Sequence, residues 1–113
     1  MKILAAIVTY NRLELLQRCI KNIKQQKRKV NNLLIINNDS TDGTKNYLMT
    51  NNFNHITQKN LGSASGWHSA IQYAIINNFD AIWLMDDDGY PDIDALENLA
   101  NKLQKNYACI SSV

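Results

Sequence analysis

Cysteine is scarce in this chain of 113 residues, with Cys19 and Cys109 the two present. Both fall in apolar patterns, one on a helix face and one in a late strand, so they read as buried thiols of a reducing compartment. Charge of one sign is equally scarce. A formal net charge of +2 is too small to imply nucleic acid, and no basic stripe with interleaved aromatics is present. No apolar run approaches membrane-spanning length. The opening Met-Lys-Ile-Leu-Ala-Ala-Ile-Val passes directly into polar Thr9-Tyr10-Asn11-Arg12, which reads as a strand and not a signal. Internal repeats and low-complexity linkers are missing. No Gly-x-Gly-x-x-Gly follows the first strand, which argues against a dinucleotide-dependent oxidoreductase. What is present is an ordinary balance of 45% hydrophobic and 19% charged residues, which argues against disorder. The length allows one domain at most.

Strand and helix patterns alternate along that domain. Ile3 to Val8 is a continuous apolar run, and Asn11 with Glu14 three positions on predicts a capping box for a helix carrying Leu13, Leu16, Cys19, Ile20 and Ile23. The basic cluster Lys24, Lys27, Arg28 and Lys29 falls at that helix's end, where it favours the negative pole of the dipole. Leu33 to Ile36 predicts a second strand, Thr44 to Met49 a short helix, and His55 to Thr57 a weak third strand. Trp67, Ala70, Ile71, Ala74 and Ile75 share a helical stripe, with Trp67 expected in the core. Ala81 to Met85 is a fourth strand. Pro91 and Asp92 then open a helix with Ile93, Leu96, Leu99 and Leu103, and Tyr107 to Ile110 is a last strand. Strands apolar on both faces between amphipathic helices predict a doubly wound, mostly parallel α/β domain with helices on both faces.

In such sheets ligands bind beyond the carboxyl ends of the strands. The polar punctuation lies there: Thr9 to Arg12, Asn38-Asp39-Ser40, Asn60 to Gly66, and the triplet Asp86-Asp87-Asp88. Like carboxylates repel, so a cluster of three needs water, a basic partner or a divalent cation. The triplet is therefore either a solvated acidic turn or an Asp-x-Asp pair presenting oxygens to Mg²⁺ or Mn²⁺. Tyr10 is either a packing aromatic or a stacking surface for a base, and Asp39 either a turn residue or a base contact. Arg12 either touches a diphosphate or decorates a helix start. Gly62 and Gly66 permit a tight loop and close backbone approach to an anionic ligand. His55 and His68 are single histidines, read as packing or surface residues.

These four segments, Val8-Thr9-Tyr10-Asn11-Arg12, Asn38 to Thr44, Asn60 to Gly66 and Trp83 to Asp88, resemble in order and spacing the family 2 glycosyltransferases, and the resemblance covers essentially the whole chain. It implies a GT-A, Rossmann-like fold and an inverting enzyme, with the Asp-Asp-Asp form similar to the rhamnosyl- and galactofuranosyltransferase branches. The chain looks like the nucleotide-sugar-binding portion. Carried over, Thr9, Tyr10, Asn11, Arg12 and Asp39 lie at the nucleotide, Asn60, Gly62 and Gly66 at the ribose and diphosphate, and Asp86 and Asp87 near the ribose. Asp88 is the expected metal ligand, joined by Asp86, with Mg²⁺ or Mn²⁺ as cofactor. The implied donor is a UDP-sugar, with dTDP-rhamnose its competitor, and the implied acceptor a glycan or lipid-linked glycan. A cytoplasmic place at the inner membrane face, with peripheral association of the full-length enzyme, belongs to the same expectation. The family's general base, a carboxylate in the acceptor-binding half, has no counterpart here, which predicts a fragment of a longer enzyme that binds donor without turning it over.

Two other classes compete. A noncatalytic nucleotide-binding or interaction module would share the donor loops and lack the base. A phosphoacceptor signalling domain needs acidic residues after the first strand, where this chain has Thr9-Tyr10-Asn11.

Overall fold

The structure, a computed structural model, describes residues 2–102 and 109–111. Strands β1 (Ile3–Thr9), β2 (Asn32–Asn37), β3 (His55–Thr57), β4 (Ala81–Asp86) and β5 (Cys109–Ser111) alternate with helices α1 (Leu13–Lys24), α2 (Thr44–Thr50), α3 (Ser63–Ile76) and α4 (Ala95–Lys102). The sheet runs β3-β2-β1-β4-β5, and every pairing is parallel. The expected parallel sheet with helices on both faces is therefore the observed architecture. The expected Leu103 and Tyr107 lie outside the described residues, as does the side chain of Cys109.

β1 is buried along its whole length because it is covered on both sides. Alternate side chains of a strand point to opposite faces. Ile3, Ala5 and Ile7 pack with Leu16, Cys19 and Ile23 of α1, Leu48 of α2 and Leu96 of α4. Leu4, Ala6 and Val8 pack instead with Ala70 and Ala74 of α3. Each buried Leu or Ile contributes about 1.5–3 kcal/mol. One face thus carries three helices and the other carries α3.

The contact line of α3 is Gly66, Ala70 and Ala74, four residues apart, and it is small because the helix lies close to the sheet. A Cβ on Gly66 would stand 2.8 Å from Val8 Cγ1 and 2.9 Å from Val8 Cγ2. The predicted stripe is accordingly half right: Ala70 and Ala74 are buried, whereas Ile75 is 70% exposed and Ile71 also faces outward. Trp67 is half-buried against the same cluster.

Helix starts differ from expectation for local reasons. Arg12, not Asn11, occupies the cap position of α1, and no side chain of its own segment caps the helix. Asn11 takes a left-handed φ of 50°, and the Leu13 N–H donates instead to Asp42 Oδ2 at 3.1 Å. α4 begins at Ala95 rather than at Pro91, because the Ala95 N–H closes a turn on Asp92 O and helical bonding starts with Asn98 to Asp94. Ile93 is left exposed.

α1 and α4 meet through Gln26, which is fully buried. Its Oε1 accepts from Leu96 N–H at 3.0 Å, and its Nε2 donates to the carbonyls of Asn22 and Asp92. The basic residues sit at the end of α1 as expected: Lys29 Nζ donates to Lys24 O, and Lys24 Nζ lies 4.8 Å from the Phe53 ring centroid. Among the described residues no helix is long and apolar enough to cross a membrane.

Candidate functional site

Parallel strands bring all their carboxyl ends to one rim, and the rim holds a cavity of about 300 Å³. Thr9, Tyr10 and Arg12 line it from the end of β1, Asn38 from β2, Asn60 and Gly62 from the loop before α3, and Asp86, Asp87 and Asp88 from β4. The register explains the meeting, since Val8 pairs with Asp86 and Thr9 with Asn37.

The three aspartates do different things. Asp87 is 4% exposed, and Thr9 Oγ1 donates to its Oδ2 at 3.0 Å. Arg12 Nη1 stands 3.4 Å from the other oxygen. Burial pushes the Asp87 carboxyl above its ordinary range, against the pull of Thr9, Arg12 and Tyr10 and with a further push from Asp88. Asp86 and Asp88 are exposed, and among the described residues no donor bonds either side-chain carboxylate. The loop carrying them is fastened through its backbone: Gly89 N–H donates to Asp86 O at 3.0 Å, and Arg18 Nη2 approaches Asp88 O at 3.4 Å. Under the loop, Cys19 Sγ lies 3.4 Å from Met85 Sδ. Its thiol is pushed up to about 12 by burial and by the charge of Asp87, so it stays protonated and is no nucleophile.

Tyr10 keeps 47% of its surface open, enough to offer a ring face. Asn38 is nearly buried; its N–H donates to Thr9 O at 2.9 Å, and its Oδ1 accepts from Gln58 Nε2 at 3.2 Å. Gln58 is itself bonded to Ser65 and Ser69 of α3. With the oxygen engaged, the Asn38 amide nitrogen is left as a donor. Gly62 takes φ 96°, and its N–H donates to Asn60 Oδ1 at 3.1 Å, which turns the chain into α3.

Eight of the residues singled out from sequence therefore meet in the cavity, and three do not. Asn11 points its carboxamide at the loop after β2, where Oδ1 accepts from the Thr41 N–H at 2.6 Å. Asp39 is exposed with φ 60° and does not line the cavity. Gly66 is inside α3, and the close approach it permits is helix to strand. Asn38, which sequence reasoning did not single out, stands in the cavity beside the expected Asp39. The signal for it was weak: it is one of three successive polar residues ending β2. His55 and His68 stay away from the cavity; His55 Nδ1 is 2.9 Å from Phe53 O.

Hard-oxygen donors such as Asp86 and Asp88 suit Mg²⁺ or Mn²⁺ chemically. No group of three or more His, Cys, Asp or Glu converges in metal-holding fashion among the described residues. Among the described residues the cavity thus offers two carboxylates, Asp86 and Asp88, that no donor bonds.

The parallel sheet with a polar cleft at its carboxyl rim defines a Rossmann-like ligand-binding domain of the GT-A type. The family profile described as glycosyl transferase family 2 matches residues 5–113, and the chain belongs to that family. It is 35% identical over 91 residues to the galactofuranosyltransferase GlfT1 of Mycolicibacterium smegmatis, a match covering 77% of this chain and 30% of that protein. The mannosyltransferase PcManGT of Pyrobaculum calidifontis, solved with GDP-Man and Mn²⁺, superposes with a TM-score of 0.72 at 20% identity, over 88% of this chain and 31% of its own. S. aureus TarS 1-349 in complex with UDP gives 0.69 at 17% identity, over 89% and 31%. The chain thus spans about a third of the length of these proteins.

Proposed function

We propose that this chain is the donor-binding part of an inverting glycosyltransferase and takes a nucleoside diphosphate-sugar together with Mg²⁺ or Mn²⁺. The observation that carries this is the convergence on one cavity of an open aromatic face (Tyr10), a cation (Arg12), an amide donor (Asn38) and two carboxylates (Asp86 and Asp88) that no donor bonds among the described residues. Family membership supports it. Tyr10 stacks on the base, and Asn38 donates to a base or ribose oxygen. Arg12, held beside Asp87, presents its remaining guanidinium donors to the diphosphate. Asp86 and Asp88 hold the cation, whose Lewis acidity, when it is bound, stabilises charge on the leaving nucleoside diphosphate.

Inversion needs a base that deprotonates an acceptor hydroxyl. Among the residues lining the cavity the carboxylates are Asp86, Asp87 and Asp88; two serve the cation, and Asp87 is tied to Thr9 and Arg12. The base therefore comes from outside this cavity, and the cavity residues are proposed for donor binding, with transfer to a glycan or lipid-linked acceptor requiring that further group. A UDP-sugar is the first donor to test, since TarS was solved with UDP; dTDP- and GDP-sugars are its competitors. Calorimetric titration with UDP, dTDP and GDP, each with Mn²⁺ and with EDTA, checks the reading. Metal-dependent binding of one of them is expected, and binding of none overturns it.

A further inference from the structure

Asp42 does not line the cavity, yet its two carboxylate oxygens reach two separate elements. Oδ1 accepts from the Thr44 hydroxyl at 2.6 Å and from the Thr44 N–H at 3.2 Å, at the start of α2. Oδ2 accepts from the Leu13 N–H at 3.1 Å, at the start of α1. One side chain thus satisfies an orphan donor of each helix, in place of the local caps that both lack. Beside it Asn11 makes a second bridge: its N–H donates to Ser40 Oγ at 3.0 Å, and its Oδ1 accepts from the Thr41 N–H at 2.6 Å. The loops joined in this way carry Tyr10 and Arg12 on one side and follow Asn38 on the other, all three in the cavity. Asn11 and Asp39 both hold positive φ, at 50° and 60°, so the backbone here is kept in shape by tertiary contacts.

We infer that Asp42 is a positioning residue for the nucleoside end of the donor site: by bridging α1 and α2 it sets the spacing of Tyr10 from Asn38 before any ligand arrives, while the Arg12 guanidinium is held separately by Asp87. The inference rests on the donor-binding reading above. Its chemical content is that two acceptor oxygens are required. Asparagine has one, so Asp42→Asn can accept from the N–H of Leu13 or from that of Thr44 but not from both. A residue that merely stabilised the fold would weaken every ligand of the rim alike; a spacer of the nucleoside end affects the base and spares the diphosphate.

The test compares the wild-type protein with Asp42→Asn, Asp42→Ala and Asn11→Gly, the last keeping the left-handed backbone while removing the bond to Thr41. Calorimetry with Mn²⁺ present measures the nucleoside diphosphate that the wild type binds among UDP, dTDP and GDP, and separately pyrophosphate; thermal melts measure the fold. The expected result is a loss of nucleotide affinity of about fivefold in both Asp42 variants and in Asn11→Gly, with pyrophosphate affinity held within about twofold. Asp42→Asn, with one cap kept, melts closer to wild type than Asp42→Ala and yet does not recover nucleotide binding. Parallel loss of both ligands, unchanged nucleotide affinity, or full rescue by Asp42→Asn overturns the inference. If the wild type binds pyrophosphate but no nucleotide, or neither, the donor-site reading fails first and takes this one with it.

Discussion

On the side of the cavity formed by the loops after β1 and β2, the protein bonds to itself. Asn11, Ser40, Thr41, Asp42 and Thr44 satisfy one another across two loops. On the opposite side, at the end of β4, the carboxylates of Asp86 and Asp88 have no bonded donor among the described residues, whereas Asp87 is taken up by Thr9 and Arg12. Both sides are rich in short polar residues, so composition does not separate them. What separates them is whether each polar group already has a partner. A side with its bonds satisfied has its geometry set without ligand; a side with free like charges gains most when a cation or basic group arrives.

The sharpest way to break that contrast is Asp88→Asn. Metal-dependent nucleotide affinity should fall about hundredfold or more, since even groups behind metal ligands are worth 10–100-fold, while the melting temperature stays within a degree or two of wild type. Calorimetry with and without EDTA reads the first and a melt the second. Next in size is Gly66→Ala. The added methyl meets both Val8 methyls and stands 3.4 Å from Ile36 Cγ2, forcing α3 off the sheet at a cost of about 1–3 kcal/mol. A fall of several degrees in the melting temperature is expected.

A smaller effect sharpens the contrast, because the two sides titrate in opposite senses. Around Asp42 desolvation pushes upward, but bonds from the Thr44 hydroxyl and from the Leu13 and Thr44 N–H groups outweigh it and hold the carboxyl below its ordinary 3.8. Its contribution to stability is present above the unfolded value and is lost as pH falls through the lower folded value. Asp87 is raised above 3.8, so the folded state binds its proton more tightly, and that advantage is lost as pH rises through the folded value. Melts against pH should show the deficit of Asp42→Asn shrinking as pH drops below 3.8, and Asp87→Asn gaining on wild type as pH rises above it. The smallest effect concerns Cys19. With its thiol at about 12, iodoacetamide should leave the Cys19 peptide unmodified in the folded protein and modify it in guanidinium, as mass spectrometry of that peptide would show.

The central strands were legible because β1 and β4 are apolar on both faces, a pattern that belongs to buried parallel strands. Helix α1 was legible from Leu16, Cys19, Ile20 and Ile23, which the structure buries. The cap of α1 was not legible. Spacing within one segment favoured Asn11, whereas the acceptor that meets Leu13 comes from Asp42, 29 positions away. Gly66 fits, in sequence, a tight loop approaching an anionic ligand; inside α3 it is required instead by the nearness of Val8. Asn37, Asn38 and Asp39 are consecutive polar residues, and which one faces a ligand depends on where β2 stops and how the chain turns. The turn at Asp39 decides it, through a positive φ that no pattern of side chains announces.

Gln26 ties the carbonyl of Asp92 and the N–H of Leu96 to α1, while Asp86 at the other end of the acidic loop belongs to a central sheet strand. The loop is therefore a span between two fixed posts, and its length is a design parameter. Extra residues inserted between Gly89 and Pro91 would slacken the span that carries Asp87 and Asp88 in the cavity lining, whereas the same insertion in the turn at Asn51–Asn52, which faces solvent, would leave the pocket its shape. Variation among relatives that changes ligand choice without touching an aspartate would be sought first in the length of this span.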